Sequence, residues 1–261
     1  MQVVFSACSH IGKVRQNNED NLYVPCRIIP YENVDAVFTA AGDTHTPCIF
    51  AVCDGMGGQK HGEYASYVVV SGLAELEVAI KTAPPSDIDH LVQEYVIKVN
   101  NTICAKMQEK STRIGTTIAL VVITDEEIRS YNIGDSRIYA IVDKELLQLS
   151  EDHTLTMQKV NMGILTKEEA RHDMDRNKLT RHLGTFEDEM VLEAEPLPRF
   201  DLLSHCPLIL ASDGLTDLVD DDKIKEVLQN VQTKDAAELL VIAALEKGGK
   251  DNISCIVINV A

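Results

Sequence analysis

No Cys-x-x-Cys pair occurs in this chain of 261 residues, and its seven cysteines (8, 26, 48, 53, 104, 206, 255) are odd in number, scattered and mostly set inside apolar runs. That pattern excludes a disulfide framework and reads as reduced core thiols of a cytoplasmic protein. No segment approaches the roughly 18 apolar residues of a membrane span, and the opening Met1-Gln2-Val3-Val4-Phe5 lacks the basic start of a signal peptide. Positive charge is scarce. The 24 Lys and Arg against 41 Asp and Glu leave a net charge of -17, which excludes nucleic acid or an anionic membrane as the main partner, since both need a positive face. There is no internal repeat of fixed period. No long apolar stripe is left over for self-association, so a monomer is expected.

What remains is ample for a globular enzyme. A hydrophobic content of 45% supports a sizeable core. Residues 2–8 and 20–24 read as short strands around the polar loop Ser9 to Asp20, and the stretch 30–47 is rich in turn residues. A strand then runs through Ile49-Phe50-Ala51-Val52-Cys53 and ends at Asp54. Two amphipathic helices follow, with Ala65, Val68, Val69, Leu73, Leu76 and Ile80 on one face of the first, and Ile88, Leu91, Val92, Tyr95, Val96, Val99, Ile103 and Met107 on the second. Between 116 and 149 the period changes to that of an antiparallel meander. Residues 150–188 form a polar insert of short helices with a flap-like character. Strands are expected at 190–195 and 207–212, helices near 221–230 and 234–247, and a closing strand at 253–260. This order lacks the regular alternation of a doubly wound parallel sheet. It fits an α+β fold, a four-layer α/β/β/α sandwich of two antiparallel sheets flanked by helix pairs, in one domain spanning residues 1–261.

The chemistry-bearing residues are carboxylates at the ends of apolar strands. An ionised Asp there costs several kcal/mol unless a cation or a set of donors meets it. Asp54 in Val-Cys-Asp-Gly and Asp213 in Ala-Ser-Asp-Gly share one design, an apolar strand followed by Asp-Gly. Asp135 in Asn-Ile-Gly-Asp-Ser-Arg, Asp251 in Gly-Lys-Asp-Asn and Asp20 in Asn-Glu-Asp complete a set of five. Taken singly, any Asp-Gly pair is an ordinary turn. Five together, without paired histidines or thiolates, point to Mg²⁺ or Mn²⁺ rather than zinc. Asp43, Asp125, Asp143 and the run 220–222 read as solvated turns or a helix start.

Seven segments occur in order along nearly the whole chain: Arg15-x-x-Asn18-Glu19-Asp20, Asp54-Gly55-Met56-Gly57-Gly58, Gly115-Thr116-Thr117, Gly134-Asp135-Ser136-Arg137, Leu179-Thr180-Arg181-x-Leu183-Gly184, Ala211-Ser212-Asp213-Gly214-Leu215-x-Asp217 and Lys250-Asp251-Asn252-Ile253-Ser254. In these the chain resembles the metal-dependent protein phosphatases, the type 2C serine/threonine phosphatases, in their compact bacterial form. The resemblance implies two Mn²⁺ or Mg²⁺ ions in a cleft at one edge of the sandwich. It implies hydrolysis of phosphoserine and phosphothreonine on proteins by a metal-bridging water or hydroxide, reversing a serine/threonine kinase. Asp54 would then bridge the ions, the Gly55 carbonyl would bind one, and Asp213 and Asp251 would hold the other. Glu19 and Asp20 would act through bound waters, Asp135 with Asp213 and Asp217 would form a weaker third site, and Arg15 would grip the substrate phosphate. The physics agrees, because a phosphate dianion cannot enter a nest of carboxylates unless divalent ions invert the local field, and a guanidinium is its natural bidentate partner.

One position departs from the eukaryotic branch, which has a general-acid His after the Asp-Gly pair. Here Met56 stands there, as in the bacterial branch, and methionine donates no proton. His61 reads as a surface residue at a helix start. A hydrolase of small phosphate esters shares the same chemistry, and a catalytically silent adaptor shares the same fold; retention of Asp20, Asp54, Asp213 and Asp251 argues against the latter. The substrates implied are phosphoproteins, a kinase or its targets among them.

Overall fold

The computed structural model describes residues 1–25, 27–31, 36–57, 61–194, 196–197, 200–201 and 206–260. In chain order the strands and helices are β1 (Gln2–His10), β2 (Asp20–Val24), β3 (Arg27–Ile28), β4 (Val37–His45), β5 (Cys48–Gly57), α1 (Gly62–Thr82), α2 (Ile88–Lys110), β6 (Ile114–Thr116), β7 (Ile118–Ile123), β8 (Glu127–Ile133), β9 (Arg137–Val142) and β10 (Glu145–Gln148). Then come α3 (Leu155–Asn161), α4 (Lys167–Ala170), β11 (Phe200–Asp201), β12 (Leu208–Ala211), α5 (Asp213–Thr216), α6 (Asp221–Asn230), α7 (Thr233–Glu246) and β13 (Ile253–Val260). One sheet has the order β10-β9-β12-β13-β1-β4. The other runs β11-β8-β7-β5-β2-β3, with β6 paired to the far end of β5. Every paired strand runs antiparallel to its neighbour.

Three apolar layers separate the four layers of the sandwich, and β5 shows how one strand serves two of them. Ile49, Ala51 and Cys53 lie beneath α1 and α2 with Val69, Leu73, Val92 and Val96. Phe50 and Val52 point the other way and meet Val3, Phe5, Leu210, Ile256 and Ile258 between the sheets. A strand buried on both faces must be apolar throughout, which is why this run carries no alternation. The third layer places Leu240, Val241 and Ala244 of α7 against Ile209, Cys255 and Val257. Each large aliphatic side chain so buried contributes about 1.5–3 kcal/mol.

The structure corrects the sequence reading in three places. The strand expected to stop at Asp54 continues through Gly57, because residues 55–57 exchange their neighbours and pair with β6. The turn-rich stretch before it contains β4, an edge strand of mostly exposed residues and so without an apolar signature. Residues 190–194, expected as a strand, are irregular. Their backbone is held instead by Gln93 of α2, which donates to the Leu192 carbonyl at 3.0 Å and accepts from the Ala194 amide at 2.7 Å. Of the glycine turn, Gly58 lies outside the described residues. The six described cysteines are all buried and free, and no helix among the described residues is long and apolar enough to cross a membrane.

Phe50 is fully buried between the sheets and packs against Phe5 at 5.4 Å between ring centroids. Phe50→Ala is expected to lower unfolding free energy in urea by about 3–5 kcal/mol. Val78→Ala, on the exposed face of α1, should stay within about 0.5 kcal/mol.

Candidate active site

Asp54 belongs to the same face of β5 as Phe50 and Val52, since side chains alternate along a strand. It therefore emerges where the layer between the sheets ends. Its partner across the ladder is Asp20, directly opposite in register on β2, and opposed residues of an antiparallel pair share a face with Cβ atoms about 5 Å apart. The other sheet delivers Asp213 at the start of α5, just past β12, and Asp251 just before β13, and these two strands are neighbours. Asp135 arrives from the turn between β8 and β9.

The resulting electrostatics are those of like charges pressed together. Burial, followed by the Asp20, Asp213 and Asp135 carboxylates, pushes Asp54 well above the usual carboxylate range. Burial likewise raises Asp20, Asp135 and Asp213, each with further contributions from the other acids. The Asp54 and Asp213 carboxyls are close enough for each to perturb the other. Asp20 is 2% exposed; one of its oxygens accepts from Ser212 Oγ at 2.8 Å, while Oδ1 is buried without a partner. A buried carboxylate oxygen left unsatisfied is costly, and hard oxygen donors of this kind fit a divalent cation. Among the described residues no three His, Cys, Asp or Glu side chains are grouped so as to hold an ion on their own. The acids gather at the rim of the layer between the sheets, and backbone and solvent oxygens would complete any coordination there.

The rim is braced from behind by small polar residues. The Asp54 amide donates to Thr117 Oγ1 at 2.9 Å, and that hydroxyl meets Ser136 Oγ at 2.6 Å, so the Asp135 turn is tied to the Asp54 backbone. Gly134 adopts a φ of +108°, and its amide donates to His153 Nδ1 at 3.0 Å while its carbonyl accepts from the His153 amide. Asn252 Oδ1 accepts from the Glu19 amide, and its Nδ2 donates to the carbonyls of Ile11 and Asn17. Ser254 Oγ donates to Ser9 Oγ at 2.8 Å, alongside the hydroxyl that supports Asp20.

The two Asp-Gly pairs share their glycine for a steric reason rather than for a turn. A Cβ on Gly55 would lie 2.3 Å from the Gly62 carbonyl oxygen and 2.5 Å from that of Glu19; on Gly214 it would lie 1.8 Å from the Asn252 carbonyl oxygen. Neither contact is possible for a larger residue.

The remaining candidates sit at the periphery. Glu19 reaches the first turn of α1, where its carboxylate lies against Gly62. Burial and then Glu63 push it up to about 7, against the opposing pull of Arg15. Arg15, half exposed, pairs with Asp251 at 2.7 Å and not with Glu19 four residues along. Asp217 lies one helical turn after Asp213 and is held at 3.0 Å by Arg176 of the polar insert. Met56 pairs with Gly115 of β6, and His61 immediately precedes α1 without capping it. The sequence reading assigned no role to Thr117, Ser212, Asn252, Ser254 or Arg176. The first four lie inside the quoted segments, where a small polar residue beside a carboxylate was the available signal; Arg176 had none, because its partner is 41 positions away.

Comparison with known proteins identifies the family and the fold. Residues 32–243 match the family model of Protein phosphatase 2C, and the chain belongs to that family. It is 32% identical to the Mycobacterium tuberculosis serine/threonine protein phosphatase PstP over 98% of its own length, but spans only 45% of that relative. The serine/threonine phosphatase Stp of Listeria monocytogenes is 30% identical, with 95% of this chain and 92% of that protein aligned. The solved catalytic domain of PstP in complex with two manganese ions superposes over the full length of both chains with a TM-score of 0.80 at 30% identity. The two antiparallel sheets with flanking helices are the fold of these phosphatases.

The raised carboxyls have a definite sign. An acid whose folded pKa lies above its unfolded value stabilises the fold when protonated, and that contribution is lost as pH rises through the folded value. In chelator, Asp20→Asn should therefore raise the melting temperature at pH 8, raise it less at pH 5, and change it little at pH 3, below the ordinary carboxylate value. Divalent-ion affinity by calorimetry should fall in the same variant. A melting temperature at pH 8 that drops instead would contradict this account.

Proposed function

We propose that the chain is a metal-dependent protein phosphatase that hydrolyses phosphoserine and phosphothreonine on proteins and so reverses a serine/threonine kinase. The observation that carries the reading is the convergence of Asp20, Asp54, Asp135 and Asp213, each pushed up chiefly by burial and further by neighbouring acids, with a buried Asp20 oxygen left unsatisfied. Membership of the Protein phosphatase 2C family and the two manganese ions of the solved relative support it. In this reading Asp54 and the Gly55 carbonyl, with Asp213 and Asp251, hold two Mn²⁺ or Mg²⁺ ions, and Asp135, Asp213 and Asp217 hold a weaker third. When bound, the ions supply positive charge for the phosphoryl oxygens and lower the pKa of water.

The chain's own residues do the rest. Asp20, fixed by Ser212, sets the charge beside Asp54. Arg15 stands at the rim on Asp251 and offers its guanidinium to a phosphate, for which a bidentate fit is available. Six of the seven cysteines are buried, with burial pushing their thiols up, so none of these six is an activated nucleophile. Met56 leaves proton delivery to the leaving alkoxide to solvent. Residues 1–261 would act as one catalytic unit, monomeric and cytoplasmic, with the insert at 150–188 flanking the cleft.

EDTA is expected to abolish hydrolysis of an aryl phosphate and of a phosphothreonine peptide, and Mn²⁺ to restore both; activity that persists in chelator would sink the proposal. Asp54→Ala and Asp213→Ala should each lower kcat by on the order of 10²–10³-fold, with loss of bound ion by calorimetry. Arg15→Ala should chiefly raise KM for the phosphopeptide, by roughly tenfold, with kcat largely kept.

A further inference from the structure

The polar insert forms one wall of a cavity of about 540 Å³ whose other wall carries Asp135, Asp213 and Asp217. Across it, α4 sorts its charges. Lys167, Ala170 and Arg171 line the cavity, whereas Glu168 and Glu169 do not. The cause is helical spacing, since residues three and four apart share a face. The local sequence fixes that face: Thr166 caps the helix, its hydroxyl accepting from the Glu169 amide while the Glu169 carboxylate reaches back to the Thr166 amide, so Glu169 is committed to the cap. Lys167 and Arg171 are exposed and make no ion pair among the described residues. Two other cations on the cavity wall are already engaged, Arg137 by Asp152 and Arg176 by Asp217.

A pair of free cations facing the rim is conspicuous in a chain of net charge -17. The same cavity is lined by Asp152, Asp217 and Asp220, which are paired with Arg137, Arg176 and Lys247, and by Asp221 at the start of α6, so among the described residues Lys167 and Arg171 are the cations left there to meet a peptide's charge. From this arrangement, and resting on the phosphatase reading above, we infer that Lys167 and Arg171 select phosphopeptides carrying an anionic residue beside the phosphorylated one. With the phosphate at the carboxylate rim, the flanking residues of a peptide extend across the cavity toward α4. Met157, Leu218 and Val219 supply the apolar part of that surface. The neighbour recognised is a carboxylate side chain or a second phosphorylated residue, both of which pair with Lys and Arg.

The test is steady-state kcat/KM with Mn²⁺ for four phosphothreonine peptides, flanked by Glu, by a second phosphothreonine, by Ala or by Lys, beside an aryl phosphate. The wild type should prefer the Glu-flanked over the Ala-flanked peptide by about tenfold at low ionic strength, reflecting two exposed charge pairs, and salt should shrink that ratio. A preference for the doubly phosphorylated peptide alone would assign the patch to phosphate rather than carboxylate. The double variant Lys167→Ala/Arg171→Ala should bring the anionic-to-neutral ratio to about 1, and Lys167→Glu/Arg171→Glu should turn it in favour of the Lys-flanked peptide. Equal kcat/KM for all peptides in the wild type, or the wild-type ratio surviving in both variants, overturns the inference while leaving the phosphatase reading intact. Turnover of the aryl phosphate with no turnover of any peptide overturns both.

Discussion

Like-charge repulsion at the open end of the sandwich is the constraint to which the rest of the structure answers. The layer between the sheets is hydrocarbon until it reaches Asp20 and Asp54, where two opposed strands place carboxylates on the face that Leu22 and Val52 otherwise fill. Asp213 and Asp251 are brought up from the facing sheet. Left ionised, these groups would drive the sheets apart at that edge; the pressure is felt by Asp54, which burial and then Asp20, Asp213 and Asp135 push well above the usual carboxylate range. Three apolar layers hold the sheets in place regardless, and the site is a local loss of stability tolerated by a large core.

That pressure also accounts for the density of small polar side chains around the rim. Thr117, Ser136, Ser212, Ser254 and Asn252 are fully or nearly fully buried. Each joins backbone or hydroxyl groups from segments distant in the chain, so the acids sit on braced supports, those in turns included. A position fixed in advance costs no reorganisation when charge develops nearby, which is the usual advantage of a rigid site.

The fold was legible where burial dictates pattern. The unbroken apolar runs of β5 and β7 and the three-and-four spacing of α1 and α2 each follow from faces that must be dry. β4 escaped because an edge strand with one neighbour leaves half its residues wet. Residues 190–194 misled because extended backbone can be satisfied by a side chain, here Gln93, as well as by a strand. The acids were legible because an Asp after an apolar run is conspicuous. Their mutual placement was not, since β5 to β12 and β2 to β13 are distant in the chain. The Arg15 contact with Asp251 and the Arg176 contact with Asp217 are of this kind, determined only once the sheets have packed.

The two glycines that follow Asp54 and Asp213 carry no side chain, yet backbone oxygens stand where a methyl group would go. An alanine scan across the rim would rank Gly55 and Gly214 among the indispensable positions, beside the carboxylates themselves. Loss of function there would record a collision between the new methyl group and a neighbouring main chain, and no side-chain role in cleaving a phosphate.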